Sequence, residues 1–355
     1  MIDLITSIGH IGIIGSGKMG ADIFSALTVY DYKMVWLCIN HEEAEKQNEA
    51  FLKKLNRQLK CGAIDQTELQ KKQESVIITD SPDDLSDCDL VIECIWENLA
   101  KKKELFKRIE PYLSKHCIIA SNSSSFIPSL LIPDSLMNDR FIGLHFFYPV
   151  KLKNIVEIIK TEYTSQTTLN LITKLCDQIG KKFLLQEEKY AFILNKLFLE
   201  VQNEAFKIYS EGILSYQQID NIVQNNLFPD GIFKFFDQVG IDVMLQSIKN
   251  YSEKNIKPYE QLLGKLEEMQ SKHLLGIKTR QGFYNYNGEN QSNAIKEIPG
   301  FEKVVLGRLK NVYFTKAQQI VADQICDEQL LDFAAKEYMN TDKGPFAFAH
   351  ENLNR

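Results

Sequence analysis

Short apolar runs alternate with helically spaced stretches from residue 10 to about residue 186. HIGIIG (10–15), MVWLCI (34–39), SVIIT (75–79), DLVIECI (89–95), HCIIAS (116–121), FIGLHFF (141–147) and NIVEIIK (154–160) predict strands. Stretches such as NLAKKKELFKRIEPYL (98–113) predict helices between them. Runs that are apolar throughout suit strands covered on both faces, and their alternation with helices predicts a parallel sheet layered by helices. From about residue 190 the strand signals stop. AFILNKLFLEVQNEAFKIYSEG (191–212), SYQQIDNIVQNN (215–226), GIFKFFDQVGIDVMLQSIKNYSE (231–253) and PYEQLLGKLEEMQ (258–270) carry helical spacing. GIKTRQGFYNYNG (276–288) is a turn-rich finish, and the polar ENQSNAIKEIPG (289–300) reads as a linker.

The tail repeats this helical pattern. A shift of 112 residues lays 193–209 on 305–321, so that Leu194 meets Leu306, Leu197 meets Leu309, Ala205 meets Ala317 and Asp220 meets Asp332. With one inserted residue, PDGIF (229–233) meets TDKGPF (341–346). Two amphipathic helices align by chance easily. The constant offset and the matched aspartates favour a truncated second copy of the helical domain.

Two residues break the apolar pattern. His145 stands among Leu144, Phe146 and Phe147, and Glu157 among Ile155, Val156, Ile158 and Ile159. Such groups rarely sit inside apolar runs unless something satisfies them. Either each faces solvent on its own strand, or the two strands are neighbours and the side chains meet.

The first predicted strand runs into GSGKMG, with Gly15, Gly17 and Gly20 in the G-x-G-x-x-G pattern. The first glycine permits a tight turn, the second a close approach of backbone to a pyrophosphate, and the third close helix–strand packing. After a strand, before a helix and at the head of an alternating domain, this loop (Gly15, Ser16, Gly17, Lys18, Met19, Gly20) predicts dinucleotide binding. The acid expected about 20 residues on, at the tip of the second strand, is absent. Cys38, Ile39 and Asn40 stand there, with Asn40 or Glu42 as the available substitutes.

Composition narrows the class. The chain has 355 residues, 44% of them apolar and 25% charged, enough for two domains of ordinary globular make-up. A net charge of −6 argues against general nucleic-acid binding. Seven cysteines form no C-x-x-C pair, and six scattered histidines show no metal-ligand spacing, so neither a disulfide framework nor a metal site is expected. No apolar run approaches the ~20 residues of a membrane span. MIDLITSIGHIGIIGSG carries neither a basic n-region nor an Arg/Ser-rich presequence, and the expected location is a reducing cytoplasm.

Taken together, GSGKMG, DLVIECIWENLAKKKELF (89–106), ASNSSS (120–125), GLHFFYPV (143–150), IVEII (155–159) and FILNK (192–196) resemble the 3-hydroxyacyl-CoA dehydrogenases, from about residue 8 to residue 287. The resemblance implies NAD-dependent oxidation of an L-3-hydroxyacyl-CoA to the 3-ketoacyl-CoA, a reaction of fatty-acid β-oxidation. It makes His145 the general base, Glu157 its orienting carboxylate, Ser124 a substrate-contacting hydroxyl that also borders the cofactor, and Asn195 a second hydrogen-bonding group. Glu97 and Lys102 match cofactor-contacting positions, and Lys54 and Lys60 fall on a helix that contacts CoA phosphates. Tyr148 occupies a position where the family carries an asparagine that contacts the cofactor. Tyr190-Ala191 replaces Pro-Gly, Lys196 replaces arginine, and Cys38 replaces the ribose acid.

The chemistry accords with those roles. Removing an alcohol proton near neutral pH suits an imidazole, and a buried carboxylate on the other ring nitrogen fixes the tautomer and stabilises the imidazolium. Ser124 in SNSSS also reads as a serine-rich turn satisfying its own backbone, and Asn195 as an interhelical packing residue. Lys151 and Lys153 read as surface.

The expected architecture is an α/β Rossmann-type dinucleotide-binding domain (1–187), an all-α substrate and dimerisation domain (188–288), and a linker with a partial second copy of the all-α domain (289–355). The active site is expected in the cleft between the first two. The expected cofactor is NAD, with NADP left open by Cys38. A homodimer is expected, or a monomer if the tail covers the dimer face. Two other readings stay open: a dehydrogenase of a non-CoA 3-hydroxy acid, such as a sugar acid or a carnitine-like substrate, and a decayed homologue without turnover.

Overall fold

The computed structural model describes residues 7–132, 138–252, 255–287 and 300–353. The chain divides into two compact units between Ala191 and Phe192.

The first unit is built on one eight-stranded sheet. Its strands are β1 (His10–Ile14), β2 (Lys33–Leu37), β3 (Val76–Thr79), β4 (Leu90–Glu93), β5 (Ile118–Ser121), β6 (Phe141–Phe146), β7 (Ile155–Lys160) and β8 (Lys182–Glu187), in the order β3-β2-β1-β4-β5-β6-β7-β8. Neighbouring pairs are parallel except β6–β7. β1 lies between β2 and β4, so the strand order reverses there and a crevice opens beyond the strand ends, where such sheets bind ligands.

Alternation along the strands feeds two cores. Ile11, Ile13, Trp36, Ile92, Leu144 and Ile158 pack with Ile23 and Phe24 of α1 (Lys18–Leu27), Phe51 and Leu55 of α2 (His41–Lys60), and Ile172 of α6 (Gln166–Gln178). On the other face Val35, Val91, Ile119 and Phe141 pack with Leu105, Phe106 and Ile109 of α4 (Leu99–Ile109). Between these helices lie α3 (Gln66–Glu74) and the short α5 (Pro128–Leu131). All seven predicted strands form; β8 is an eighth. Its alternating exposure is that of an edge strand, and Lys182, Gln186 and Glu187 hid it from a search for apolar runs.

The second unit is helical: α7 (Ile193–Ser210), α8 (Tyr216–Asn226), α9 (Ile232–Val239), α10 (Ile241–Ser252), α11 (Glu260–Ser271), α12 (Phe301–Ala322), α13 (Glu328–Met339) and α14 (Pro345–Leu353). The helical spacing from residue 231 resolves into two helices, α9 and α10, broken at Gly240 with φ +105°, a conformation that L side chains avoid. The turn-rich segment is stitched to α9: Asp237 accepts from the Phe283 and Tyr284 backbone N–H groups, each at 2.8 Å. Of the predicted linker, only Gly300 lies within the described residues.

α12 runs against α7 and buries Val305, Leu309, Tyr313, Ala317 and Ile320. Two helix starts in this unit share one geometry. Asp220 accepts from the backbone N–H groups of Phe233 (2.9 Å) and Lys234 (3.0 Å) at the start of α9. Asp332 accepts from those of Phe346 (2.8 Å) and Ala347 (3.0 Å) at the start of α14. A Cβ on Gly231 would stand 2.3 Å from the Asp220 carboxyl carbon, and one on Gly344 2.4 Å from Asp332 Oδ1. Each aspartate therefore requires the glycine that precedes its helix.

Candidate active site

β6 and β7 pair antiparallel with His145 directly opposite Glu157. Their side chains share a face of the sheet, and Nδ1 of His145 lies 2.7 Å from Oε2 of Glu157. Glu157 is wholly buried and His145 nearly so, with Phe147 against the imidazole at 4.5 Å between ring centroids. The two polar breaks in the apolar pattern are thus one pair.

That pair stands at a cavity of about 550 Å³ which His145 lines together with Gly17, Lys18, Met19, Trp96, Glu97, Lys102, Asn122, Ser124 and Tyr148. Asn122 accepts from the Phe146 backbone N–H at 2.8 Å and so ties the end of β5 to the end of β6, beside His145. Lys18 places its ammonium 3.8 Å from the centre of the Tyr148 ring, a cation–π contact that closes one wall.

The serine turn is held by a buried charge network. Glu97 Oε1 accepts from the Ser123 hydroxyl at 2.5 Å, the Ser125 hydroxyl at 2.8 Å, and the backbone N–H groups of Ser124 (3.1 Å) and Ser125 (3.0 Å). Lys102 lies 3.2 Å from Glu97 and 2.6 Å from Glu93, and it donates to the Ile95 carbonyl at 3.2 Å. Glu93 in turn accepts from the Ser121 hydroxyl at 2.6 Å. Burial opposes charge at Lys102, yet the Glu93 and Glu97 carboxylates outweigh it and raise its pKa. At Glu97 burial is outweighed in the same way by Lys102, Ser123 and Ser125, which hold the carboxyl below its usual range. Both residues line the cavity while their charges are directed into the protein. Glu93 leaves one trace in the sequence, an acid ending an apolar strand nine residues before a lysine.

The glycine loop fits a dinucleotide on its own geometry. Gly15 has φ +111°, a Cβ on Gly20 would lie 2.0 Å from the Gly15 carbonyl oxygen, and a Cβ on Gly17 would meet nothing within 4 Å. Gly17 is the N-cap of α1 and offers no capping side chain, which leaves the helix N-terminus to an anionic ligand. A second cavity, about 390 Å³, adjoins the loop and is lined by Gly15, Leu37, Cys38, Ile39, Ile95 and Trp96, among others.

The other expected residues lie elsewhere. Lys54 on α2 donates to the Ser25 hydroxyl at 2.7 Å, and partial burial together with the nearby Lys151 and Lys72 lowers its pKa. Lys60 is exposed at the end of the same helix. Lys151 is exposed, but Lys153 is buried, at 4% exposure, contrary to its reading as surface. It follows the turn out of β6, where its carbonyl accepts from the buried Lys181 ammonium at 2.6 Å. Asn195 belongs to the second unit, on α7, and its amide donates to the Tyr251 hydroxyl at 2.7 Å.

A mostly parallel sheet with a glycine loop at its reversal point, and a histidine that is held by a buried glutamate and lines the cavity beside that loop, are the marks of a nicotinamide-dependent dehydrogenase. Residues 10–188 match the NAD-binding domain of 3-hydroxyacyl-CoA dehydrogenase, and residues 192–286 match its C-terminal domain. The chain belongs to the 3-hydroxyacyl-CoA dehydrogenase family. It is 32% identical over 289 residues to the mitochondrial hydroxyacyl-coenzyme A dehydrogenase of Homo sapiens, covering 78% of this chain and 91% of that protein. Among solved structures, (S)-3-hydroxybutyryl-CoA dehydrogenase from Ralstonia eutropha is 31% identical with a TM-score of 0.71, over 79% of this chain and all of that one. The fold of the 3-hydroxybutyryl-CoA dehydrogenase from Escherichia coli covers 98% of this chain and 92% of its own, with a TM-score of 0.81 at 18% identity.

Proposed function

We propose that the chain oxidises an L-3-hydroxyacyl-CoA to the 3-ketoacyl-CoA, with His145 as general base. The observation that carries this is the 2.7 Å His145–Glu157 pair at the cavity that also holds the glycine loop. With Nδ1 engaged by the carboxylate, proton transfer to and from the substrate falls to Nε2. Glu157 stabilises the imidazolium that forms as the hydroxyl proton arrives. NAD+, when bound, supplies the hydride acceptor. Gly15 to Gly20 would hold its pyrophosphate, with the backbone N–H groups that start α1 as donors. Ser124, its backbone fixed by Glu97, presents a hydroxyl to the reacting oxygen. Glu97 and Lys102 act by shaping the serine turn and the wall of the cofactor site.

Lys54 and Lys60 are the proposed contacts for CoA phosphates; the cationic surroundings of Lys54 support an anionic ligand there. The role of Asn195 as a second hydrogen-bonding group rests on the family resemblance alone. The cytoplasm is the proposed location. Residues 300–353 are proposed to be a truncated second copy of the helical domain, supported by the matched Asp220/Gly231 and Asp332/Gly344 helix starts. With α12 lying along α7, the proposed state is a monomer.

The test is turnover of acetoacetyl-CoA followed at the nicotinamide, with NADH and NADPH in parallel and free acetoacetate as the non-CoA control. Turnover of the thioester with NADH is expected. Turnover of the free acid alone would transfer the reading to a non-CoA substrate, and no turnover of either would favour a decayed homologue.

A further inference from the structure

The tip of β2 lacks the acid that usually takes the adenosine ribose, and the substitutes named from the sequence are unsuited to the task. Cys38 is buried, and burial, with Glu43 and Asp80 nearby, pushes its thiol up to about 11, so it carries no charge at neutral pH. The Asn40 carboxamide oxygen caps α2, where it accepts from the Glu43 backbone N–H at 2.9 Å. Glu42 is exposed.

Glu43 is different. Its side chain is only 23% exposed. Its carboxylate is held from the helix side by the Gln47 amide at 2.7 Å and the Lys46 ammonium at 3.2 Å. Those two partners lower its pKa and keep it ionised. The Ser16 hydroxyl of the glycine loop lowers it further. Glu43 stands in the first turn of α2, just beyond the β2 tip, and that tip meets the glycine loop through the Gly15 backbone N–H, which donates to the Leu37 carbonyl at 2.9 Å. The adjoining cavity is flanked by Ile39 and Trp96, apolar side chains that are 82% and 78% exposed and so open to a purine.

We propose that Glu43 is the ribose-binding acid of this enzyme and sets its choice of NAD over NADP. A carboxylate there accepts from the ribose hydroxyls, whereas a 2′-phosphate would be brought against a like charge. Of the α2 cations near this corner, Lys46 is committed to Glu43 itself, at 3.2 Å. Lys101 and Arg108, which also line the cavity, stand on α4 with Glu104. The inference rests on the dinucleotide-binding reading and adds a residue to it.

The experiment is calorimetric titration of NAD+ and NADP+ into wild type, Glu43→Gln, Glu43→Asp, Cys38→Asp and the double variant Glu43→Gln/Cys38→Asp. Wild type is expected to prefer NAD+. Glu43→Gln keeps the side-chain length and is expected to weaken NAD+ about tenfold while narrowing the gap to NADP+. Glu43→Asp should retain most of the affinity. Cys38→Asp should gain nothing alone, because its carboxylate would lie beside Glu43, but should restore NAD+ binding in the double variant. NAD+ affinity within twofold of wild type in Glu43→Gln, or a wild-type preference for NADP+, would overturn the Glu43 assignment and leave the family reading intact. Binding of neither dinucleotide by wild type would overturn both.

Discussion

A histidine at 6% exposure survives in an apolar strand because Glu157 meets it, and the same contact fits it for the proposed role of general base. Glutamine at 145 keeps a polar side chain opposite Glu157 but cannot accept and return a proton. His145→Gln is expected to lower kcat about 10²–10⁴-fold, the usual contribution of a positioned general base. NAD+ affinity should be unchanged, because the glycine loop is untouched; steady-state kinetics beside cofactor titration separates the two. Full activity would remove His145 from the mechanism. The pair was legible in the sequence because each member was a lone polar residue in a strand. Lys102 was legible through the family resemblance as a position beside the cofactor, but not as the centre of a network, since one dimension does not reveal that Glu93 and Glu97 converge on it. A buried ion pair left without one partner is costly, by about 3–5 kcal/mol, so the network's structural role is at least as weighty as any contact it makes with cofactor.

At the scale of elements, what the sequence conveyed follows from period and run length. Strands covered on both faces announce themselves as apolar runs; β8, half exposed, did not, and the break at Gly240 is a backbone conformation that the helical spacing on either side concealed. The Asp220–Asp332 match was legible as an offset, but its meaning lies in the hydrogen bonds. Asp220 is 1% exposed, and burial raises its pKa to about 6 even though two backbone N–H groups and the Tyr284 hydroxyl (2.8 Å) donate to it. Since the folded value lies above the ordinary 3.8, the native state keeps a proton that the unfolded chain releases between about pH 4 and pH 6. Stability attributable to this group therefore falls as pH rises through that window, by on the order of 3 kcal/mol, and levels off above it. Denaturant midpoints measured from pH 4 to pH 7 in wild type and Asp220→Asn check this. The difference between the two should change across the window, and a pH-independent difference would contradict it.

For the whole molecule, the informative part is the segment beyond the turn-rich finish, which the C-terminal family match, ending at residue 286, does not include. α12 is held to α7 mainly by its buried stripe: a fully buried Val, Leu or Ile is worth roughly 1.5–3 kcal/mol, whereas surface pairs such as Arg308 with Glu204 (2.7 Å) and Glu211 (2.6 Å) contribute about 0–1 kcal/mol each. The stripe at 305, 309, 313 and 317 was visible as helical spacing, but a sequence does not say which helix such a stripe covers. In this chain it covers α7, the first helix of the domain that the family resemblance makes the dimer contact. If the tail substitutes for a second subunit, the intact chain should run as a single-chain mass by light scattering. A chain ending at residue 288 should self-associate through the uncovered α7 face. Substituting glutamate for Leu309 in the full chain, which puts a charge into the stripe, should move it toward the behaviour of the shortened chain. A dimeric mass for the intact chain would show that α12 leaves the association surface open, and would separate the repeat's ancestry from its proposed role as an internal partner.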